Sequence, residues 1–181
     1  NFNTTANWST TSGGAGGASV PTSADLIILD NNSGLLSLEI NINVQGISMT
    51  AGYASTFTQN AFTITYGSGN FTVAGGTFTG SNGGHAITGS AGSKFIQSGG
   101  TFTSTSGTLT FGVAGIGIYS CDITGGVFNH NNGKMLCSGS NHTNMRNLSG
   151  YPFWNCEINL CPICTTGGAI YVDNEMKVVQ N

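Results

Sequence analysis

Short stretches of alternating apolar and polar residues run along most of the chain, and Gly-rich or Asn-rich turns separate them. Phe71 and Val73 alternate with polar neighbours, as do Cys121 and Ile123, which is the period of two expected for a strand with one buried face. The longest aliphatic run is Leu26–Leu29, far shorter than the roughly 20 residues of a membrane-spanning helix. The pattern predicts many short β-strands and no membrane insertion.

One cluster recurs along the chain at a nearly constant interval. A Gly-Gly-x-Phe segment places its phenylalanine at Phe78, Phe102 and Phe128, so that successive copies lie about 24 residues apart, a period typical of stacked repeat folds. A unit of this length cannot bury its own hydrophobic face and is stable only when the next unit stacks on it. The repeat therefore predicts an all-β fold, a right-handed parallel β-helix (β-solenoid) with coils of about 24 residues. An antiparallel sandwich is the alternative, but it does not predict a constant interval.

The repeat also assigns roles to particular residues. Phenylalanines at equivalent positions of successive coils are predicted to stack as a ladder in the core, and these are Phe71, Phe78, Phe95, Phe102 and Phe128. The glycine pairs are predicted to provide corner conformations that a Cβ atom would forbid, and they are Gly75, Gly76, Gly99, Gly100, Gly125 and Gly126.

The two ends differ from the repeat region. Residues 1–24 are rich in Ser, Thr, Asn and Gly, with Phe2 and Trp8 as the large anchors, and they predict an N-terminal cap or an assembly arm. Residues 25–181 form the predicted solenoid domain. Its last strands are expected at residues 170–172 and 176–179, with no polar cap after them. An uncapped end exposes a strand edge that can pair with another strand.

Composition narrows the classes of function. Among 181 residues, 29 are Gly, only 6% are charged, and the net charge is −3. Because the chain has no basic patch, nucleic acid is not expected as a partner. Low charge also lets copies of the chain associate without repulsion. Copies of the chain, stacked end to end or in a filament, are therefore the expected partners.

The five cysteines all lie in the C-terminal third, and they are Cys121, Cys137, Cys156, Cys161 and Cys164. Disulfides are the main prediction, because Cys137 and Cys161 stand one predicted coil apart and could bridge adjacent coils. The alternatives are free thiols or a metal site, either an iron–sulfur cluster or zinc held together with His142. We expect no cofactor and no metal, and an odd cysteine that is left to cross-link subunits.

The chain contains no constellation typical of an enzyme built on a β-helix. Such chemistry needs paired carboxylates or an acidic cluster beside a basic residue, whereas the aspartates are scattered and Arg146 is the sole arginine. His85 and His130 stand beside turn residues and are predicted to be solvated. The scattered aspartates are Asp25, Asp30, Asp122 and Asp173. We therefore expect no catalytic residues.

Three segments of the chain resemble the repeats of bacterial exported β-helix surface proteins. The resemblance lies in their Gly-Gly-Thr-Phe-Thr and Gly-Gly-Val-Phe-Asn cores, and the segments are residues 69–79, 98–111 and 125–133. This group includes adhesins, autotransporter passengers and filamentous-haemagglutinin-like proteins. The resemblance implies an extracellular β-helix that serves as a stalk, fibre or adhesive surface without a catalytic centre. The absence of an N-terminal leader fits an exported, processed chain or a fragment.

These observations favour an extracellular structural or adhesive solenoid, a subunit of a surface fibre or filament. The alternative is a carbohydrate- or receptor-binding fibre module of a phage or adhesin, in which exposed Tyr53, Tyr66 and Tyr119 would stack on surface glycans. A further alternative is ice binding by ranks of threonine, since the Thr-x-Thr pairs at 77/79 and 101/103 recur at the period of the repeat.

Overall fold

The computed structural model describes residues 1–88, 93–112, 119–138, 144–148, 150–159 and 170–179. Within these ranges the chain forms one short 3-10 turn, Thr5–Asn7, and sixteen β-strands. The strands are β1 (Leu26–Leu29), β2 (Leu36–Ser37), β3 (Ile42–Val44), β4 (Gly46–Met49), β5 (Thr56–Thr58), β6 (Ile64–Tyr66), β7 (Phe71–Val73), β8 (Thr77–Thr79), β9 (His85–Ile87), β10 (Phe95–Thr103), β11 (Thr108–Phe111), β12 (Tyr119–Asn129), β13 (Lys134–Ser138), β14 (Asn144–Arg146), β15 (Phe153–Asn159) and β16 (Val172–Val179). None of the helical structure in the described ranges has the length and apolarity needed to cross a bilayer.

The strands stack in three columns, and every pairing between described strands is parallel. The first column contains β1, β4, β7, the start of β10 and β12, and β14; the second contains β2, β5, β8 and the ends of β10 and β12. The third runs from β3 through β6, β9, β11, β13 and β15 to β16. The predicted all-β solenoid is confirmed, with about six turns of about 23 residues. Because the pairings are parallel, the antiparallel sandwich is excluded.

Coil length varies along the solenoid. In the third column the step between equivalent inward positions is longest from Leu109 to Met135 and shortest from Cys156 to Met176. The outermost coils are therefore shorter than the coils of the central repeat. This variation determines which residues are neighbours across coils. The inward positions of the column are Ile42, Ile64, His85, Leu109, Met135, Cys156 and Met176.

Aromatic side chains fill the middle of the core. Phe57, Phe78, Phe102 and Phe128 occupy the same register position in four successive coils, and all four are buried. The rings of Phe78 and Phe102 stack with centroids 4.9 Å apart, and those of Phe102 and Phe128 with centroids 5.7 Å apart. In the first column Phe71 and Phe95 are register partners, and their rings are tilted to each other with centroids 5.7 Å apart. The predicted phenylalanine ladder is present in both columns.

Each glycine pair has two physical roles at the corner between the first and second columns. The second glycine has a positive φ, as at Gly100 (60°), a region that side chains rarely adopt. The first approaches the preceding coil, since a Cβ atom on Gly99 would lie 2.3 Å from the carbonyl oxygen of Ala74. The same division holds for Gly75 with Gly76 and for Gly125 with Gly126.

Candidate functional site

The N-terminal end of the solenoid is covered by the segment that precedes β1. Phe2 is buried and belongs to the same hydrophobic core as the first coil. Its backbone N–H donates to the carbonyl of Ser37 (3.0 Å) and to the carboxylate of Glu39 (3.1 Å). Trp8 packs edge-on against the Phe2 ring and donates its indole N–H to the Phe2 carbonyl (2.7 Å). The inward side chains of the first coil are consequently buried, including Ile27, Leu29, Leu36, Ile42 and Val44.

A groove of about 620 Å³ lies between this N-terminal segment and strand β1. The outward side chains Leu26 and Ile28 line it and are 50% and 57% exposed. On its polar side the Ser12 hydroxyl donates to Asp30 and accepts a bond from the Asn32 amide (2.9 Å). The bond from Ser12 is the largest cause that lowers the pKa of Asp30, and the backbone N–H of Asn32, which donates to the same carboxylate (2.9 Å), is the next. The sequence already indicates an apolar outer surface here, because Leu26 and Ile28 make the outward face of β1 as apolar as its inward face.

The C-terminal end of the described chain presents an open strand. Strand β16 pairs with β15 on one side, and no strand in the described part of the chain pairs with its other edge. Met176 and Val178 stand in register with the buried residues Cys156 and Ile158, yet they are 49% and 55% exposed. These side chains therefore occupy core positions over which the described residues place no further coil. The two ends of the described solenoid are unlike, one covered and one exposed.

Strand β16 is longer than the sequence predicts. Two short strands are expected at residues 170–172 and 176–179, but Val172–Val179 is a single strand. The expectation is wrong because the pairing of β16 with β15 shifts its register between Phe153 and Asn155. This shift accommodates the polar residues of β16 within one continuous strand. Beyond this shift, Glu175 lies beside Asn155 and Lys177 beside Glu157. The two charges thus lie on the opposite side of β16 from Met176 and Val178.

The described cysteines occupy core positions. Cys121, Cys137 and Cys156 are buried, and no disulfide joins two of them. Burial, with smaller effects of Cys156 and Asp122, raises the pKa of Cys121 well above its ordinary value. Burial raises the pKa of Cys156 to about 11. For Cys121 and Cys156 the expected disulfides are therefore wrong, because each acts as a small apolar side chain in the core.

Cys137 takes an inward position of the third column, where Ile158 is its register partner in the next coil. The coil from β13 to β15 is shorter than the coils of the central repeat. The Cys137 sulfur lies 2.7 Å from the Met145 sulfur. Cys161, Cys164 and His142 lie outside the described residues. Among the described residues no group of three His, Cys, Asp or Glu side chains is arranged to hold a metal ion.

His85 is not a solvated turn residue, as the sequence suggests, but a buried one. It is 1% exposed and takes the inward position that Ile64 and Leu109 occupy in the neighbouring coils. Its Nε2 lies 2.7 Å from the Tyr66 hydroxyl, and its Nδ1 has no hydrogen-bond partner among the described residues. Burial lowers the pKa of His85 to about 3. The side chain is therefore a neutral member of the core, and the glycine beside it is a misleading signal.

Two of the three tyrosines that the sequence offers for stacking on sugars are buried. Tyr53 and Tyr66 are 2% and 3% exposed, so the expectation that they stack on glycans is wrong. Both fill the interior, where Tyr53 donates to the Gly34 carbonyl (3.1 Å). Tyr119 is half-buried, and the Arg146 guanidinium lies 4.7 Å from its ring centroid.

Three pairs of ionisable side chains lie within ion-pair distance in the described coils. Asp122 and Arg146 are register partners one coil apart and form a bidentate ion pair. The Lys134 ammonium lies 3.3 Å from the Glu157 carboxylate. His130 is half-buried, stacks on Trp154 and lies 3.6 Å from Asp173. Asp25 and Asp30 lie at the opposite end, near β1.

Two ranks of threonine line the outer side of the second column. Thr77 and Thr101 stack as expected, and Thr56 extends this rank by a further coil. The second rank contains Thr58, Thr79 and Thr103. The sequence does not indicate that Thr56 belongs to this rank, because the step from Thr56 to Thr77 is shorter than the step from Thr77 to Thr101. In the coil beyond, Val127 and Asn129 replace the pair.

Comparison of the chain with protein-family models, with curated proteins and with solved structures finds no match.

Proposed function

We propose that the chain is a non-enzymatic structural element of an extracellular fibre or adhesive surface, which joins its partner through the exposed edge of β16. The observation that carries this proposal is the difference between the ends. Phe2 closes one end of the core, whereas Met176 and Val178 stand exposed at the other. Exposed core positions beside an unpaired strand edge are typical of an assembly surface.

The body of the solenoid suits a mechanical role. Hydrogen bonds run from coil to coil, as from Gly80 to Thr103 (2.8 Å) and from Ser104 to Asn129 (2.8 Å). The aromatic ladder fills the space that these bonds enclose. Function in this proposal comes from a stiff stack of coils. The small uncharged surface residues and the resemblance to exported β-helix repeats support the extracellular location.

The test is a paired measurement on the purified chain. Small-angle X-ray scattering over a range of concentrations reports on association, and a glycan array with a panel of polysaccharides reports on recognition and turnover. The proposal predicts particles that lengthen with concentration, without glycan specificity and without products. Specific glycan binding or polysaccharide cleavage by a monomer would overturn it. Either result would indicate that the chain is a binding module or an enzyme instead.

Ice binding is a second candidate, favoured by the two threonine ranks across three coils. Hydroxyl and methyl groups repeat along each rank at the strand separation, about 4.8 Å. Thr79 is the middle member of one rank, and its replacement Thr79→Lys should remove any thermal hysteresis. The matched control is Thr65→Lys, on the outer side of the third column. The absence of hysteresis in the unmodified chain would exclude this candidate.

A further inference from the structure

Strand β16 carries a charge pattern that is complementary to itself. Its sequence around Met176 is Asn174-Glu175-Met176-Lys177-Val178. If a second copy of the strand runs antiparallel and is centred on Met176, Glu175 of each copy faces Lys177 of the other. Opposite charges directly across an antiparallel pair stabilise it. The two Met176 side chains then face each other.

The same register also places the apolar side chains correctly. Met176 and Val178 point towards the core in each copy, because they continue the positions of Cys156 and Ile158. Since side chains alternate along a strand, pairing about Met176 keeps both apolar sides together and both charged sides together. A shift by one residue would place Glu175 opposite Met176 and mix the two sides. The pattern therefore fits one register.

The covered N-terminal end leaves this arrangement as the favoured one. In head-to-tail stacking, β16 would have to meet the first coil of the next copy, where Phe2 and Trp8 already pack. A pairing of two C-terminal ends requires no displacement of that segment. It also covers the exposed apolar positions of both copies at once, as a two-fold interface does.

We propose that two copies of the chain associate tail to tail, through antiparallel pairing of β16 about Met176. The proposal rests on the proposed role of the exposed edge and names the partner of that edge as a second copy. In this dimer the two cores join into one, with an N-terminal cap at each outer end. Assembly through this surface alone closes at two copies, so that a longer fibre would join such dimers through a second contact.

The first test is a charge swap followed by sedimentation velocity or light scattering. Lys177→Glu places two glutamates opposite each other twice in the dimer, and Glu175→Lys does the same with lysines. Each single variant should weaken dimerisation by about tenfold or more, and the double variant should restore it. The matched control is Lys94→Glu, which makes the same change in charge on the residue before β10. Circular dichroism verifies that every variant is folded.

The second test fixes the register by oxidative cross-linking. Residues directly opposite each other in antiparallel strands have Cα atoms about 4.5–5.5 Å apart, which is within the range of a disulfide. Met176→Cys should therefore form a covalent dimer. Val178→Cys should not, because its two copies would be about 13 Å apart along the strands. The unmodified chain under the same oxidant is the baseline for its own cysteines.

The outcomes separate this proposal from the proposed function. The tail-to-tail pairing would be overturned if the unmodified chain were monomeric at all concentrations. It would also be overturned by a dimer whose stability the charge swap does not change and that cross-links at Val178→Cys. A dimer through another surface would overturn both this pairing and the role of the β16 edge, but it would leave the non-enzymatic structural role of the chain standing. The structural role itself fails on glycan recognition or catalysis, whatever the register of β16.

Discussion

Phe78 and Phe102 stand one full coil apart in the chain, yet their rings stack with centroids 4.9 Å apart and planes inclined by 12°. The contact exists because β8 and β10 are parallel neighbours that pair these residues directly. Phe95 and Phe128 enclose the Phe102 ring further, with centroids 4.7 and 5.7 Å away. One turn of the solenoid thus brings equivalent side chains into contact.

Truncation of the ladder should be costly. Phe102→Ala removes a fully buried ring from between two coils, and we expect a loss of about 3–5 kcal/mol in the free energy of unfolding. Val127→Ala is the control, because Val127 points outward and is 37% exposed; its loss should stay within about 0.5 kcal/mol. Urea denaturation measures both. Equal effects of the two substitutions would contradict a core centred on this column.

The corner glycines allow a matched pair of substitutions. Gly100 has a φ of 60°, and a Cβ atom there would lie 2.7 Å from the carbonyl oxygens of Gly75 and Gly76. Gly100→Ala should therefore cost more than about 2 kcal/mol, from the conformation and the clash together. Gly34 has open space around its Cβ position, so Gly34→Ala should be nearly neutral. Thermal unfolding of the two variants tests this difference, and a tolerated Gly100→Ala would contradict the corner geometry.

His85 should make stability depend on pH. Burial holds its pKa at about 3 in the folded chain, against an ordinary value of 6.5. Above pH 6.5 the imidazole is neutral in both states; as the pH falls from 6.5 towards 3 only the unfolded chain takes up the proton, so stability decreases. Between pH 7 and pH 5 we expect a loss of about 2 kcal/mol in the free energy of unfolding. Asp25 and Asp30 have lowered pKa values and titrate below this window.

Paired variants isolate the histidine. Tyr66→Phe with His85→Phe replaces both hydrogen-bonded partners with apolar rings, and stability between pH 7 and pH 5 should lose the slope due to His85. Tyr66→Phe alone retains the buried imidazole and should retain the slope. Chemical denaturation at several pH values measures these differences. A slope that survives His85→Phe would show that another group causes it.

The buried thiols should resist alkylation. With a pKa of about 11, Cys156 is roughly one-thousandth thiolate at pH 8, and the pKa of Cys121 is raised by the same cause. Peptide mapping by mass spectrometry should find both unmodified by iodoacetamide in the folded chain and modified in urea. Modification of either in the folded chain at the rate of a free peptide thiol would contradict their place in the core.

The period of the fold is evident in the sequence, but the variation around it is not. Phe78, Phe102 and Phe128 belong to the longest coils, where a fixed Gly-Gly-x-Phe segment marks every turn. Elsewhere the coils shorten without a motif, so the sequence does not predict that Ile158 stacks on Cys137. Stacking order in a solenoid depends on the sum of turn lengths, and turns of Gly, Ser and Asn vary freely in length.

Burial of polar residues is the other limit of the sequence. His85 follows two glycines, which predicts a turn, but the inward position of β9 is fixed by pairing with β6 and β11. Tyr66 takes an inward position for the same reason, and its hydroxyl lies 2.7 Å from the His85 ring nitrogen. The sequence indicates the uncapped C-terminal end but does not decide whether the N-terminal segment is a cap or an arm. The packing of Phe2 on the first coil depends on hydrogen bonds to Ser37 and Glu39, far along the chain.

The most direct test of the stacked-coil account is the detection of hydrogen bonds through scalar coupling by NMR. The N–H of Gln59 donates to Thr79, that of Gly80 to Thr103, and that of Ser104 to Asn129, at 2.8–2.9 Å. The account predicts a coupling from each of these amide nitrogens to the carbonyl carbon of the residue one coil later. Couplings in which two facing residues exchange both bonds, as in antiparallel strands, would contradict it.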